Sequence, residues 1–157
     1  MASHSLPRLA AVLLGAAICC LPAAPAAHAQ SGTALKLDSA IQIEPLDLNT
    51  ILHGSAAKPL ILQVGSKVLF AESHIPGSEF FGPAAPPDAL AQRVAKLPRN
   101  TAIVLYCGCC PWERCPNIAP AFQKLHALGF TNVKVLHISQ NFGQDWAQKG
   151  YPVEPAH

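Results

Sequence analysis

Thr101-Ala102-Ile103-Val104-Leu105-Tyr106 is an unbroken apolar run that ends on Cys107. A run of this length, with β-branched residues at its centre, predicts a strand buried on both faces. The segment after this strand is unusual. Cys107-Gly108-Cys109-Cys110-Pro111-Trp112-Glu113-Arg114-Cys115-Pro116 packs four cysteines into nine residues. Beyond Pro116 the pattern turns helical. Ile118, Phe122 and Leu125 recur at i, i+4 and i+7, and Gly129 marks the stop. Pro120 loses no helical hydrogen bond if Asn117 is the N-cap, so the helix is expected to start near Asn117.

Working outward, Leu60–Val64 reads as a second buried strand and Val133–Leu136 as a third. Helices are expected at Pro45–His53, with Pro45 in the first turn, and at Ala89–Leu97, capped by Asp88. A short last helix is expected over Gly143–Lys149. Lys67–Ala71 reads as a short strand or a loop, and His74-Ile75-Pro76-Gly77-Ser78 as a turn. Strands alternate with helices, which predicts an α/β domain with a mostly parallel sheet.

The 157 residues fit one small domain, and half of them are hydrophobic. Much of that apolar content lies at the start. Arg8, the apolar run Leu9–Leu21 and Ala27-His28-Ala29 have the anatomy of a secretory signal peptide. The run is shorter than the roughly 20 residues that span a bilayer, so no stable membrane insertion is expected after cleavage. The expected organisation is a signal over 1–29, a flexible lead over 30–42 and one domain over 43–157, in an exported, periplasmic or secreted protein. Residues 30–157 carry ten Lys or Arg and nine Asp or Glu with the signs interspersed. That balance excludes the electrostatic case for nucleic acid. A disulfide framework would spread its cysteines across the fold. Here Cys107, Cys109, Cys110 and Cys115 are crowded, so they read as a site.

Open α/β sheets place their sites at the carboxyl ends of strands, beside helix N-termini. Cys107 occupies such a position. Helix N–H groups and the charge of Arg114 both favour a thiolate, the nucleophilic form of cysteine.

The chain resembles the single-domain rhodanese, or sulfurtransferase, family. The resemblance rests on His74-Ile75-Pro76-Gly77-Ser78, Ile103-Val104-Leu105-Tyr106-Cys107, Leu125 through Val133, Trp146 and Gly150-Tyr151-Pro152-Val153, in that order. It covers about Pro45 to Glu154. It implies a central, mostly parallel sheet flanked by helices on both faces. It also implies a strand-end cysteine, here Cys107, that carries sulfane sulfur as a persulfide. The sulfur passes from a thiosulfate-like donor to a thiol or cyanide acceptor, with no cofactor and no assigned metal ligand. Gly108, Cys109, Cys110, Trp112 and Arg114 are then the substrate-binding candidates. His74 takes a structural role in its turn. The sequence names no protein partner.

Three departures stand out, one of them around Asn141-Phe142-Gly143, where the paired glycines common in the family after the last strand are replaced. The family's catalytic loop is short, whereas here it is enlarged and cysteine-rich. The Asp-x-Arg frequent on the second strand reads Gln63-Val64-Gly65. A related architecture serves dual-specificity phosphatases through Cys-x5-Arg, but six residues separate Cys107 from Arg114, which disfavours that chemistry. Cys109, Cys110 and Cys115 retain three readings: resolving thiols for Cys107, a soft-metal site, or a structural disulfide such as Cys110 with Cys115. The alternatives to sulfur transfer are therefore a thiol-disulfide redox protein using the Cys107–Cys115 cluster, or a non-enzymatic metal-binding or protein-binding module.

Overall fold

The structure, a computed structural model, describes residues 39–155. The expected signal over 1–29 and the first part of the lead, to residue 38, lie outside the described residues. Ten elements carry the fold. They are β1 (Gln42–Ile43), α1 (Pro45–His53), β2 (Leu60–Gln63), α2 (Lys67–Glu72), β3 (Glu79–Phe80), α3 (Ala89–Val94), β4 (Ile103–Tyr106), α4 (Ile118–Ala127), β5 (Val133–Leu136) and α5 (Phe142–Asp145). Single 3-10 turns occupy Ser39–Ile41, Trp112–Arg114 and Ala147–Lys149. Residues 39–42 of the lead are thus built into a turn and the start of β1.

The sheet order is β1-β5-β4-β2-β3 and every pairing is parallel. β4 is central, with Ile103 opposite Leu60 of β2 and Val133 of β5. Its burial explains its composition. Ile103 and Leu105 pack into one core with Leu90 and Val94 of α3 and Ile118, Phe122 and Leu125 of α4. Val104 and Tyr106 face the other core, with Leu48 of α1, Phe142 of α5 and Trp146. A strand covered on both faces has no polar side to alternate with, so it reads as a continuous apolar run. Helices lie on both faces, as expected.

Several boundaries differ from the expectation. Lys67–Ala71, read as a strand or loop, is helix α2. It is too short for helical periodicity to register, and its apolar Val68 is 75% exposed, so composition misleads there. The helix expected over Ala89–Leu97 ends at Val94 and tightens into i→i−3 hydrogen bonds, Leu97 N–H donating to Val94 O at 3.0 Å. Asp88 precedes it, but its side chain makes no capping hydrogen bond; its carbonyl accepts from Gln92 N–H. The last helix divides into α5 and a 3-10 turn around Trp146. The two-residue strands β1 and β3 carry no sequence signal. Asn117 does precede α4, and Pro120 sits at its third position, as predicted.

The His74–Ser78 turn is tied to β4. The Tyr106 hydroxyl accepts from Ile75 N–H at 3.3 Å and lies 3.2 Å from the Ser78 hydroxyl. Burial pushes the Tyr106 phenol up to about 12. His74 stacks on Phe70, and its Nδ1 lies 2.9 Å from Phe70 O. These are structural contacts. Among the described residues no helix is long and apolar enough to cross a membrane.

Candidate active site

Cys107 follows directly on β4 and is fully buried. Its sulfur lies 3.2 Å from that of Cys109 and 4.0 Å from that of Cys110. The Cys109 and Cys110 sulfurs are 3.5 Å apart. Cys109 is exposed and Cys110 half-buried, so the three form a ladder from the core to the surface. All four cysteines of the loop are free thiols.

Close packing from behind holds Cys107 in place. A Cβ on Gly65 would lie 3.0 Å from the Cys107 sulfur and 3.0 Å from Gln63 Nε2. Only glycine lets the backbone after β2 approach this near. The Gly65 N–H donates to Gln63 Oε1 at 3.2 Å, which fixes that turn. Gly108 is buried as well, and its carbonyl accepts from Phe142 N–H at 3.1 Å, joining the loop to the start of α5.

The far end of the loop has a different environment. Ten residues separate Cys107 from Ile118, the first residue of α4. The sequence argument sets Cys107 beside a helix N-terminus. The structure gives that position to Cys115, because the enlarged loop carries the helix start away from the strand. Asn117 makes no side-chain cap. The N–H groups of Asn117 and Ile118 turn instead toward the Cys115 sulfur. With the Cys107 thiol as the leading donor and these N–H groups behind it, Cys115 is pulled down to about 6, against the opposing effect of burial. Cys107 moves the opposite way. Its interaction with Cys115 and its burial hold its thiol well above the ordinary cysteine range. Burial, followed by the neighbouring Cys109 thiol, pushes Cys110 up to about 12.

A cavity of about 420 Å³ opens beside the loop. Gly108 and Cys109 line it, together with Gln63, Tyr106, Asn141 and Phe142, and α2 closes one side with Leu69 and Glu72. Asn141 is held by its own cap, its Oδ1 accepting from Gln144 N–H at 2.9 Å. Cys107 does not line the cavity; Cys109 is the cluster thiol that does. Of the other sequence candidates, Trp112 is buried and anchors the loop. Its backbone N–H donates to Ile138 O at 2.9 Å, and its ring meets His137 edge-on. Arg114 is exposed on the 3-10 turn and does not line this cavity. Sequence reasoning noted Gln63 and Asn141 only as departures from the family pattern, and it missed the α2 wall. They are brought to the site by the sheet order and by a helix that was not anticipated.

The family model for the rhodanese-like domain matches residues 44–139. Solved structures are similar at the level of the fold. The Alr3790 protein of Anabaena sp. is 19% identical with a TM-score of 0.56, covering 73% of this chain and 82% of its own. The BH2092 protein of Bacillus halodurans is 21% identical with a TM-score of 0.57, covering 73% and 76%. A thiosulfate sulfurtransferase of Pseudomonas aeruginosa is 23% identical with a TM-score of 0.53; 73% of this chain matches only 19% of that protein. No curated protein matches.

Proposed function

The chain belongs to the rhodanese-like domain family, and on that premise we propose that it is a sulfurtransferase whose sulfane sulfur is stored on Cys107. The observation that carries this reading is the 3.2 Å contact between Cys107, at the end of the central strand, and Cys109, which opens onto the cavity. A cluster thiolate attacks the outer sulfur of a thiosulfate-like donor. The new S–S bond forms as the S–S bond of the donor breaks, and sulfite leaves with the electron pair. Because Cys107 is buried, Cys109 is the thiol that meets the donor. Cys107 then attacks the outer sulfur of the Cys109 persulfide, its thiol proton passing to the Cys109 sulfur as that S–S bond breaks. In the last step the sulfur returns to Cys109 by the reverse exchange, and an acceptor thiol or cyanide removes it there. Donor and acceptor are small molecules that fit the cavity, and the charge balance of residues 30–157 favours no polyanion. We further propose that the chain is exported, on the strength of residues 1–29.

The test is intact-mass spectrometry of the reduced protein before and after thiosulfate, with peptide mapping. A thiol-reversible gain of one sulfur is expected that maps to Cys107 in the wild type, stops at Cys109 in Cys107→Ser and is lost in Cys109→Ser. Wild-type sulfur that never reaches Cys107, or uptake unchanged in Cys109→Ser, would overturn the assignment.

The same short contact favours a second reading, a dithiol-disulfide couple between Cys107 and Cys109 or Cys110. That reading predicts loss of two hydrogens by mass on mild oxidation, their two electrons passing to the oxidant, reversed by a partner thiol, with no sulfur gain.

A further inference from the structure

Cys107, Cys109 and Cys110 set three sulfurs at the corners of a triangle with edges of 3.2, 3.5 and 4.0 Å. We propose that this triangle is a binding site for one soft univalent metal ion of the copper(I) class. The proposal goes beyond sulfur transfer and stands whether or not a persulfide forms.

The dimensions fit. The point equidistant from the three sulfurs lies about 2.1 Å from each, against roughly 2.3 Å for a zinc–thiolate bond. Bonds of the longer length place an ion about 1 Å out of the sulfur plane, a pyramidal three-sulfur geometry. The donor set selects the class of ion. Among the described residues the group consists of these three cysteines, with no imidazole or carboxylate completing it. Structural zinc takes four ligands in a tetrahedron, and hard divalent ions take oxygen, whereas thiolates select soft ions.

The site is also built rather than draped. Cys107 is fully buried at the end of β4, and the Gly65 backbone blocks its sulfur from behind. Gly108, between the first two ligands, is fixed by its carbonyl bond to Phe142. Cys109 is exposed, so an ion has a path in. Three thiols in mutual contact offer one another only weak hydrogen bonds. Binding releases their protons to solvent and forms three metal–sulfur bonds. The ion enters already univalent, so no electron moves.

The test is an anaerobic titration of the reduced full-length protein with copper(I), against a chromogenic copper(I) chelator, with zinc(II) in a parallel arm. One equivalent of copper(I) is expected, with X-ray absorption showing three sulfur scatterers. Cys109→Ser and Cys110→Ser should each weaken retention by at least about tenfold, and Cys115→Ser should not. Cys109 is exposed, so its variant keeps the fold, as circular dichroism will verify. The proposal is overturned by zinc held more tightly than copper, by nitrogen or oxygen in the coordination shell, or by copper retention that survives Cys109→Ser. Sulfur uptake from thiosulfate is read separately by mass in metal-free protein, so failure of either reading leaves the other measurable.

Discussion

The two ends of the cysteine loop face opposite physical situations. At the near end, Cys107 sits just past the last residue of a fully buried strand, crowded by two other sulfurs. At the far end, Cys115 is also buried but sits among the free N–H groups that open α4. The two thiols shift each other first, Cys107 donating to the Cys115 sulfur; burial then adds to the rise at Cys107, and the N–H groups of α4 add to the fall at Cys115. Cys107 is therefore raised and Cys115 lowered, to about 6. In a short loop one cysteine would hold both the strand end and the helix terminus. The enlarged loop separates them, leaving one thiol placed against its neighbours and another that is the readily ionised anion.

The largest expected effect is on sulfur uptake. Cys109→Ser, which removes the near-end thiol that meets the donor, should lower it by at least about a hundredfold, the scale of losing a nucleophile, while Cys115→Ser keeps the sulfur gain. Mass spectrometry after thiosulfate decides this. Equal losses in both variants would erase the contrast between the two ends. Trp112→Ala comes next. This ring is buried in the α3–α4 core, so its removal should cost about 3–5 kcal/mol in a denaturant melt. A cost below about 1 kcal/mol would mean that the loop is not anchored between its ends.

Gly65→Ala should act on the near end alone. Its new methyl meets the Cys107 sulfur at 3.0 Å, and overpacking of this kind costs about 1–3 kcal/mol. Copper(I) retention should fall with it. Wild-type stability and retention would show that Cys107 is free to recoil. The smallest effect is spectroscopic. In reduced, metal-free protein the ultraviolet absorbance of thiolate should report one group titrating near the value of about 6 assigned to Cys115. The thiolate is present above that pH and lost as pH falls through it, and the step should vanish in Cys115→Ser. A step that persists there and vanishes in Cys107→Ser would reverse the two ends.

Much of the fold was legible along the chain. Ile103–Tyr106 announces itself because burial on both faces leaves no place for a polar residue, and Leu60–Gln63 and Val133–Leu136 read as short apolar runs that each admit one, Gln63 and Lys134. Pro120 located the start of α4 because proline is tolerated only in the first turn. α2 was not legible: six residues with exposed Val68 show no helical stripe. Nor were β1 and β3, which are two-residue strands held by pairing with distant partners.

The candidate site divides in the same way. Spacing alone singles out Cys107, Cys109, Cys110 and Cys115 as a cluster, since four cysteines in nine residues cannot staple a domain. Local chain geometry also keeps Cys107, Cys109 and Cys110 together, because they are at most three residues apart. The tertiary structure alone decides which thiol faces the cavity, which lies against Gly65 and which receives the N–H groups of α4. Those outcomes depend on parallel strands that bring residues 63–65, 106–109 and 141–143 to one end of the sheet. Sequence proximity cannot encode that meeting, because long-range packing makes it.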